Sequence, residues 1–285
     1  MNKLRWLSSI NPKNEANLAK LKDRLEHYYR SNKDYYHDID NSGQLWNDPN
    51  YLPYQAIKRM AEKSKAILEL GSGRAAILSA LPGISNRYTG IDFSKDLVRS
   101  NSERYPGATF CEINDSSKLN LPTGSFDLIF SVFVLEHVVN PQIFLDEACR
   151  LLKSKGKLVI VCPDYMGHLW MASQKVGLSQ GSGMEKLKKG KILDFLLTGF
   201  ESRMRIPIYA YFKRLKAHTK PKFYVNVHPT CFEYKFQPDV DAVYVTCEKE
   251  IKTYLSERVA WIGGDSKMDS FCKERRLLFL TGTRK

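Results

Sequence analysis

The chain has 285 residues, of which 43% are hydrophobic, and a formal net charge of +13. This length fits one large α/β domain with an insertion, or two small domains. The sequence contains no run of about 18 apolar residues and no N-terminal apolar core of the signal-peptide type. We therefore expect a cytoplasmic protein without a membrane-spanning helix.

The positive charge is concentrated in the second half of the chain. Residues 175–222 hold twelve Lys and Arg against three Asp and Glu. Such a local excess suggests an anionic partner: phosphate, nucleic acid or an acidic membrane surface. A solvated insertion that keeps the protein in solution explains the same charge, and composition does not decide between these interpretations.

Two helices are predicted before the first strand. Residues 14–33 place Leu18, Leu21 and Leu25 at helical spacing. A polar and aromatic loop follows, and Pro53 then opens a second helix.

Five predicted strands alternate with helices between residues 66 and 163. The strands are the segments 66–70, 88–92, 108–115, 125–134 and 157–163. The helix over 140–156 is expected to end at Gly156 in a left-handed cap. This alternation predicts an α/β fold with a doubly wound parallel sheet and helices on both faces.

The regular alternation stops after Pro163. Beyond Asp241 a strand over 242–247, a helix over 248–259 and a last strand over 275–285 are predicted. The predicted organisation has four parts: a helical N-terminal lid at 1–60, a core at 61–165, a basic insertion at 166–235, and closing strands of the core at 236–285.

Polar residues and glycines follow the first three predicted strands, where an open α/β sheet binds ligands. Gly71 and Gly73 allow a sharp turn and a close approach of the backbone to a ligand. Asp92 ends the second strand, where an acid can accept both hydroxyls of a ribose. Asp115 and Ser116 follow the third strand and can hold an adenine edge. Together these positions predict an adenosine pocket.

The same glycines also fit a dinucleotide site. The segment 71–76 satisfies the loose G-x-G-x-x-G/A pattern, and Asp92 follows at about the distance that pattern requires. Glu69 distinguishes the two cofactors, because a carboxylate there suits a cationic ligand and is unfavourable beside a pyrophosphate. Asp115 has a role only in the first pocket, so an NAD-linked oxidoreductase is the less favoured reading.

Four motifs together resemble a known family. They are ILELGSGRA, GIDFS, the run from Asn114 to Val138 that ends in LEHV, and LKSKGKLVIVCP. In this order they resemble the class I S-adenosylmethionine-dependent methyltransferases, more narrowly the small-molecule, methyltransferase type 11-like branch. The resemblance implies a Rossmann-like seven-stranded sheet in the order 3-2-1-4-5-7-6, with strand 7 antiparallel. The segments 242–247 and 275–282 then fit strands six and seven.

The resemblance also implies S-adenosyl-L-methionine as cofactor and a role for each matching position. Glu69, Gly71 and Gly73 contact the methionine part, and Asp92 takes the ribose hydroxyls. The adenine is bounded by the remaining positions: Phe93, Asp115, Ser116, and Ser131 or Val132. The aromatic N-terminal segment is expected to fold over the cofactor, or to pack on the sheet.

Candidates for a general base follow strands four and five. They are His137, Asp164 and His168, and each is equally explained as a packing, capping or loop residue. Some relatives bind a divalent metal through a Glu-x-x-Glu-His run. Phe133 replaces the first acid of that run here, so no metal site is predicted.

The acceptor is expected to contact the insertion, where apolar and basic residues interleave. This mixture favours a small-molecule acceptor or a lipid- or glycan-linked one, such as a sugar or a polyprenyl-linked glycan intermediate, anionic in character. It also favours peripheral membrane contact through residues 190–216. Nucleic acid is not expected, since no recognisable binding module is present. A catalytically silent protein that keeps the pocket as a binding or scaffold module is the alternative.

Overall fold

The computed structural model describes residues 8–9, 15–31, 43–113, 118–167, 173, 177–179, 181–217, 221–233 and 241–285. The chain divides into two compact units, each assembled from several segments. One, the sheet unit, takes its residues from 32–135, 142–162 and 255–285. The other, the helical unit, takes its residues from 1–31, 136–141 and 163–254.

The strands of the described residues belong to two sheets, one of two strands and one of seven. The strands are β1 (Ser8–Ser9), β2 (Ile67–Leu70), β3 (Tyr88–Asp92), β4 (Thr109–Glu112), β5 (Phe126–Val132), β6 (Leu152–Pro163), β7 (Tyr224–Val225), β8 (Val259–Ile262) and β9 (Leu277–Arg284).

Helices separate most of these strands. The α-helices are α1 (Glu15–Ser31), α2 (Leu52–Lys63), α3 (Ala76–Ala80), α4 (Lys95–Arg104), α5 (Pro141–Leu151), α6 (Gly183–Lys188), α7 (Ile192–Phe200), α8 (Ile206–Ala217), α9 (Glu248–Tyr254) and α10 (Ser266–Arg275). A π-helical turn, Glu201–Arg205, joins α7 to α8. Short 3-10 turns lie at Gln44–Asn47, Pro82–Arg87, Leu135–His137 and Thr230–Glu233.

Seven strands form one sheet in the sheet unit, in the order β4-β3-β2-β5-β6-β9-β8. Numbered along the chain, this order is 3-2-1-4-5-7-6, so the predicted topology is confirmed. The pairs β2–β3, β2–β5, β3–β4 and β5–β6 are parallel, and β8–β9 is antiparallel. The Arg284 guanidinium, at the end of β9, donates to the Leu152 carbonyl at the start of β6. The two strands therefore run in opposite directions, as predicted for strand seven.

The central strands are apolar because helices cover both faces of the sheet. Every residue of β2 is buried, and the core beneath it includes Ile57 of α2 and Ile77 of α3. The predicted helix at Pro53 is confirmed, with the proline in the first turn of α2. Trp46 stacks on Tyr54 with ring centroids 4.3 Å apart, and both side chains are buried. These two rings are core residues of the sheet unit.

Two sequence assignments are wrong. Residues 242–247 are not sheet strand six; Tyr244 makes only an isolated bridge to Val225, within the helical unit. Strand six is β8, a four-residue run that follows the turn after α9. The segment 242–247 is apolar because it is buried, and apolarity alone does not identify a sheet strand. Its backbone forms separate hydrogen bonds, such as those from Val243 and Tyr244 to the Glu136 carbonyl, and no continuous ladder.

The helix after strand four is also shorter than predicted. It ends at Leu151, and the chain enters β6 at Leu152. The left-handed residue is Lys155, at φ 63°, and not Gly156. The turn thus belongs to an irregular start of the strand, where the register between β5 and β6 shifts, and not to a helix cap.

The helical unit contains the predicted first helix, confirmed as α1. Its Leu18, Leu21 and Leu25 are buried on one face, at the spacing read from the sequence. A separate apolar cluster in this unit includes Met166 and Ile206. The strands β1 and β7 pair antiparallel and form a two-stranded sheet of their own.

Candidate active site

The glycine loop after β2 folds back over the neighbouring strand. The backbone N–H groups of Gly71 and Ser72 both donate to the Ile91 carbonyl at 2.8 Å. Gly71 has φ +77° and Gly73 has φ +49°, conformations that favour glycine. A Cβ on Gly71 would overlap the Cγ atoms of Val134, which follows β5. The loop therefore requires glycine at position 71 for both its dihedral and its space.

Asp92 ends β3 and fixes this loop from the side. Its Oδ2 accepts from the Gly73 N–H at 2.8 Å, and its Oδ1 accepts from the Ser94 N–H at 3.0 Å. The Asn101 amide donates to the Gly73 carbonyl at 2.8 Å, from the other side of the loop. Burial raises the pKa of Asp92 to about 6, although these N–H groups oppose the shift. The Phe93 N–H also opposes the shift, so three backbone N–H groups bond to this carboxylate.

Glu69 is the second buried acid of the loop region. It lies in β2, opposite Gly90 of β3, and its carboxyl accepts a hydrogen bond from the Tyr88 hydroxyl. Burial raises the pKa of Glu69 to about 8; the Tyr88 bond lowers it and the Asp92 charge raises it. Burial thus favours the protonated form of Glu69 more strongly than that of Asp92. A bound cation would favour the ionised form of both groups.

Two buried hydroxyls belong to Ser72, in the glycine loop, and to Ser131, which follows Phe130, the β5 partner of Glu69. Within the part of the chain that the structure describes, the Oγ atoms of Ser72 and Ser131 are buried and make no hydrogen bond. Gly90 gives Ser72 its room, since a Cβ at Gly90 would lie 2.9 Å from the Ser72 Cβ. Buried hydroxyls without protein partners are suited to a polar ligand.

Of the remaining predicted cofactor residues, two lie at strand ends of the sheet and two lie outside the described residues. Phe93 and Val132 are partly exposed, directly after β3 and at the end of β5. Phe133, the next residue, has φ +54°, which marks a strained turn at that strand end. Asp115 and Ser116 lie outside the described residues.

The methyltransferase domain family matches residues 68–160. The match begins in β2 and ends in β6, and it includes Glu69, the glycine loop and Asp92. The chain contains a class I S-adenosylmethionine-dependent methyltransferase domain.

Curated relatives are similar over part of the chain. A demethylmenaquinone methyltransferase of Tropheryma whipplei is 35% identical over 97 residues, covering 33% of this chain and 40% of that protein. A probable S-adenosylmethionine-dependent methyltransferase of Mycobacterium tuberculosis is 26% identical over 129 residues, covering 45% of this chain and 44% of that protein. The chain thus spans less than half the length of these relatives.

One solved structure shares the fold over nearly its whole length. It is the 1,6-didemethyltoxoflavin N1-methyltransferase of Burkholderia thailandensis, solved with 1,6-didemethyltoxoflavin and S-adenosylhomocysteine bound. It aligns with a TM-score of 0.52 at 14% identity, covering 100% of this chain and 97% of that chain. This likeness supports the fold of the methyltransferase domain.

The donor set of the domain fits its cofactor class. S-Adenosylmethionine carries an ammonium and a sulfonium. Of the two buried acids, Glu69 lies in β2 two residues before Gly71, and Asp92 accepts from the Gly73 N–H. Two unbonded hydroxyls, of Ser72 and Ser131, add polar contacts. A pyrophosphate would make both of these carboxyl groups harder to ionise, whereas a cation would favour their ionised forms, so the pair suits a cationic ligand better than a dinucleotide.

A second polar cluster lies in the helical unit, around His137. Its Nδ1 is 3.2 Å from Oδ2 of Asp241 and 3.3 Å from the Tyr29 hydroxyl. The carboxylates of Asp241 and Glu136 are buried, and Glu136 Oε1 is 3.9 Å from Nε2 of His137. A carboxylate that accepts from Nδ1–H fixes the ring and leaves Nε2 as the basic nitrogen.

The other two base candidates differ from His137. Asp164 accepts from the Gly167 N–H at 2.6 Å and so closes a turn after β6. This is the loop role that its position in the sequence also allowed. His168 lies outside the described residues.

Tyr88, Ser72, Tyr29 and Asp241 are site residues that the sequence analysis did not identify. Tyr88 reaches Glu69 only through the pairing of β2 with β3. Asp241 meets His137 only because distant segments of the helical unit fold together. No motif spacing signals either contact, although Tyr88 lies two residues before the GIDFS motif.

Proposed function

We propose that this chain transfers the methyl group of S-adenosylmethionine to a small-molecule acceptor. The observation that carries the proposal is the pair of buried acids, Glu69 and Asp92, beside a glycine loop with positive φ in the matched methyltransferase domain. This arrangement suits a cofactor with cationic and ribose groups.

The proposed binding roles follow from these positions. Asp92 accepts from the two ribose hydroxyls while it holds the Gly73 N–H. Glu69 and the glycine loop receive the methionine part. The adenine lies against Phe93 and the end of β5, at Ser131 and Val132. Asp115 and Ser116 are proposed for the adenine edge.

The reaction is an in-line displacement. The bound cofactor supplies an electrophilic methyl group on a sulfonium. Held by Glu69, the glycine loop and Asp92, the cofactor would let the acceptor atom displace sulfur from this carbon, and the electron pair of the broken C–S bond would stay on sulfur. The chain's task is to hold the acceptor in line and exclude water. His137 Nε2 is proposed to take the acceptor's proton, with Asp241 as the positioning residue.

The finer proposal concerns the acceptor. We infer an anionic or lipid-linked small molecule, met at a membrane surface, because residues 175–222 combine basic and apolar side chains. By their names, the demethylmenaquinone and didemethyltoxoflavin methyltransferases among the similar proteins act on small molecules. These names support a small-molecule acceptor, and the anionic or lipid-linked character rests on the composition of residues 175–222 alone.

Calorimetry with S-adenosylhomocysteine and with NAD tests the cofactor. We expect binding of S-adenosylhomocysteine in the micromolar range and none of NAD. Heat with NAD alone would overturn the proposal.

A second experiment tests turnover. The protein is incubated with cell extract and S-adenosylmethionine carrying a labelled methyl group, and mass spectrometry identifies the labelled product. Transfer to a small molecule supports the enzyme. Cofactor binding without transfer to any extract component would instead favour the silent binding module.

A further inference from the structure

Exposed apolar side chains are concentrated in one segment of the helical unit. Of the thirteen large hydrophobic side chains that are exposed among the described residues, eleven lie between residues 184 and 215. Ile143 and Ile262 are the other two. A concentration of this kind marks an interaction surface, whereas single exposed hydrophobics are ordinary.

Most of these side chains form one stripe along α7, the π turn and α8. The apolar stripe consists of Ile192, Leu193, Leu196, Phe200, Met204, Ile208, Tyr211, Phe212 and Leu215. Its members recur mainly every three or four residues, so they share one helical face.

The π turn keeps the stripe on this face. Successive steps of four residues exceed the 3.6 residues of an α-helical turn, so the stripe would wind around a uniform α-helix. The π-helical residues Glu201–Arg205 contain more residues per turn and bring Ile208 back in line with Phe200.

The opposite face of the same helices is packed into the protein. Thr198 is buried and accepts a hydrogen bond from the Lys186 ammonium at 2.6 Å. Arg205 pairs with the buried Glu201 at 3.2 Å, and Ile206 belongs to the apolar cluster of the helical unit. The helices therefore have a fixed inner face, and the apolar stripe is their outer face.

The charge around the apolar stripe indicates which partner binds this surface. Residues 183–217 contain nine Lys and Arg against three Asp and Glu. Four of the bases, Lys188, Lys189, Lys191 and Arg203, are exposed. A second copy of the chain would bring the same positive charge, so self-association is disfavoured. An anionic lipid surface supplies both negative charge and an apolar layer.

We propose that the apolar stripe and its flanking bases bind the surface of an anionic membrane. The stripe is about 35 Å long at 1.5 Å per residue. Among the described helices, none is long and apolar enough to cross a bilayer. The stripe accordingly lies in the plane of the interface, with side chains such as Leu193 and Phe200 in the upper acyl layer. This binding needs no methyl transfer.

Vesicle co-sedimentation of the full chain tests the proposal. The vesicles are phosphatidylcholine alone, or phosphatidylcholine with part replaced by phosphatidylglycerol. The stripe variant is Leu193→Ser with Leu196→Ser and Phe200→Ser. The matched control is Ile143→Ser with Ile262→Thr, which removes the two exposed apolar side chains outside the stripe. Thermal unfolding of each variant confirms that it is folded.

We expect binding to the anionic vesicles only, and weaker binding as salt rises. The stripe variant should lose about a hundredfold in partitioning, and the control none. Equal binding by the stripe variant, or no binding of the unaltered chain to anionic vesicles, overturns the proposal. A dimer in light scattering that the stripe variant dissociates, without vesicle binding, assigns the surface to a second copy instead. Calorimetry with S-adenosylhomocysteine separates this result from a failure of the cofactor site.

Discussion

The N–H of Gly73 donates to Oδ2 of Asp92 at 2.8 Å, and this bond joins the glycine loop of β2 to the end of β3. The carboxylate that is proposed to bind the ribose is thus also a structural part of the loop. Substitutions at Asp92 should consequently affect binding and stability together.

Asp92→Ala should weaken S-adenosylhomocysteine binding by about a hundredfold, because bonds to two hydroxyls are lost. It should also cost about 1–3 kcal/mol of unfolding free energy, since the buried N–H groups of Gly73 and Ser94 lose their acceptor. Calorimetry and urea unfolding measure the two effects. Asp96→Ala, an exposed acid four residues along, is the control and should change neither. Unchanged binding by Asp92→Ala would remove the ribose role.

Gly71→Ala should destabilise the sheet unit by about 2–4 kcal/mol, from a left-handed dihedral and overlap with Val134. Gly83→Ala is the matched control, because its new Cβ meets nothing within 4 Å. Adding Val134→Ala should recover only part of the loss, since the dihedral strain remains. Denaturant unfolding of the three variants measures this. Full recovery in the double variant would show that space alone requires the glycine.

Stability of the cofactor-free protein should fall as pH rises through the range set by Glu69. Its pKa is raised from 4.5 to about 8, so the folded state holds a proton there that the unfolded state releases. The stabilisation is complete below about pH 4.5 and is lost by about pH 8. Asp92, raised to about 6, adds a smaller change of the same sign. Unfolding free energies measured from pH 5 to 9 should show this slope.

Glu69→Gln is the control for the pH effect. It keeps an acceptor for the Tyr88 hydroxyl but does not titrate, so most of the slope should disappear. A variant with the original slope would place the titrating group elsewhere. The variant should also bind S-adenosylmethionine more weakly at pH 8, where the unaltered acid can ionise beside the cation.

His137→Ala should lower kcat by about 10²–10⁴ once an acceptor is known, if the acceptor must lose a proton. Binding of S-adenosylhomocysteine should not change. Asp241→Asn should lower kcat less, with a shifted pH–rate profile, because the ring loses its fixed orientation at Nδ1. Tyr29→Phe removes only the longer contact and serves as the mild control. Unaltered kcat in His137→Ala would return this cluster to a packing role.

Much of the sheet unit was predictable because its signals are local. The glycines at 71 and 73, the acid at 92 and the alternation of strands and helices occur within single βα units. Strand six was not predictable, since the longer apolar run at 242–247 gave a stronger strand signal than the four residues of β8. Asp115, Ser116 and His168 stay predictions.

The sequence by itself determined the alternation of the first five sheet strands with helices and the position of the cofactor loop, because both follow from local patterns in chain order. The sheet order was implied by the family resemblance. Only the tertiary structure placed the Tyr88 hydroxyl on Glu69, the Asp241 carboxylate on His137, and nine apolar side chains on one outer face. Strand register, long-range folding and a π turn decide these contacts, and none of them is encoded in a local residue pattern.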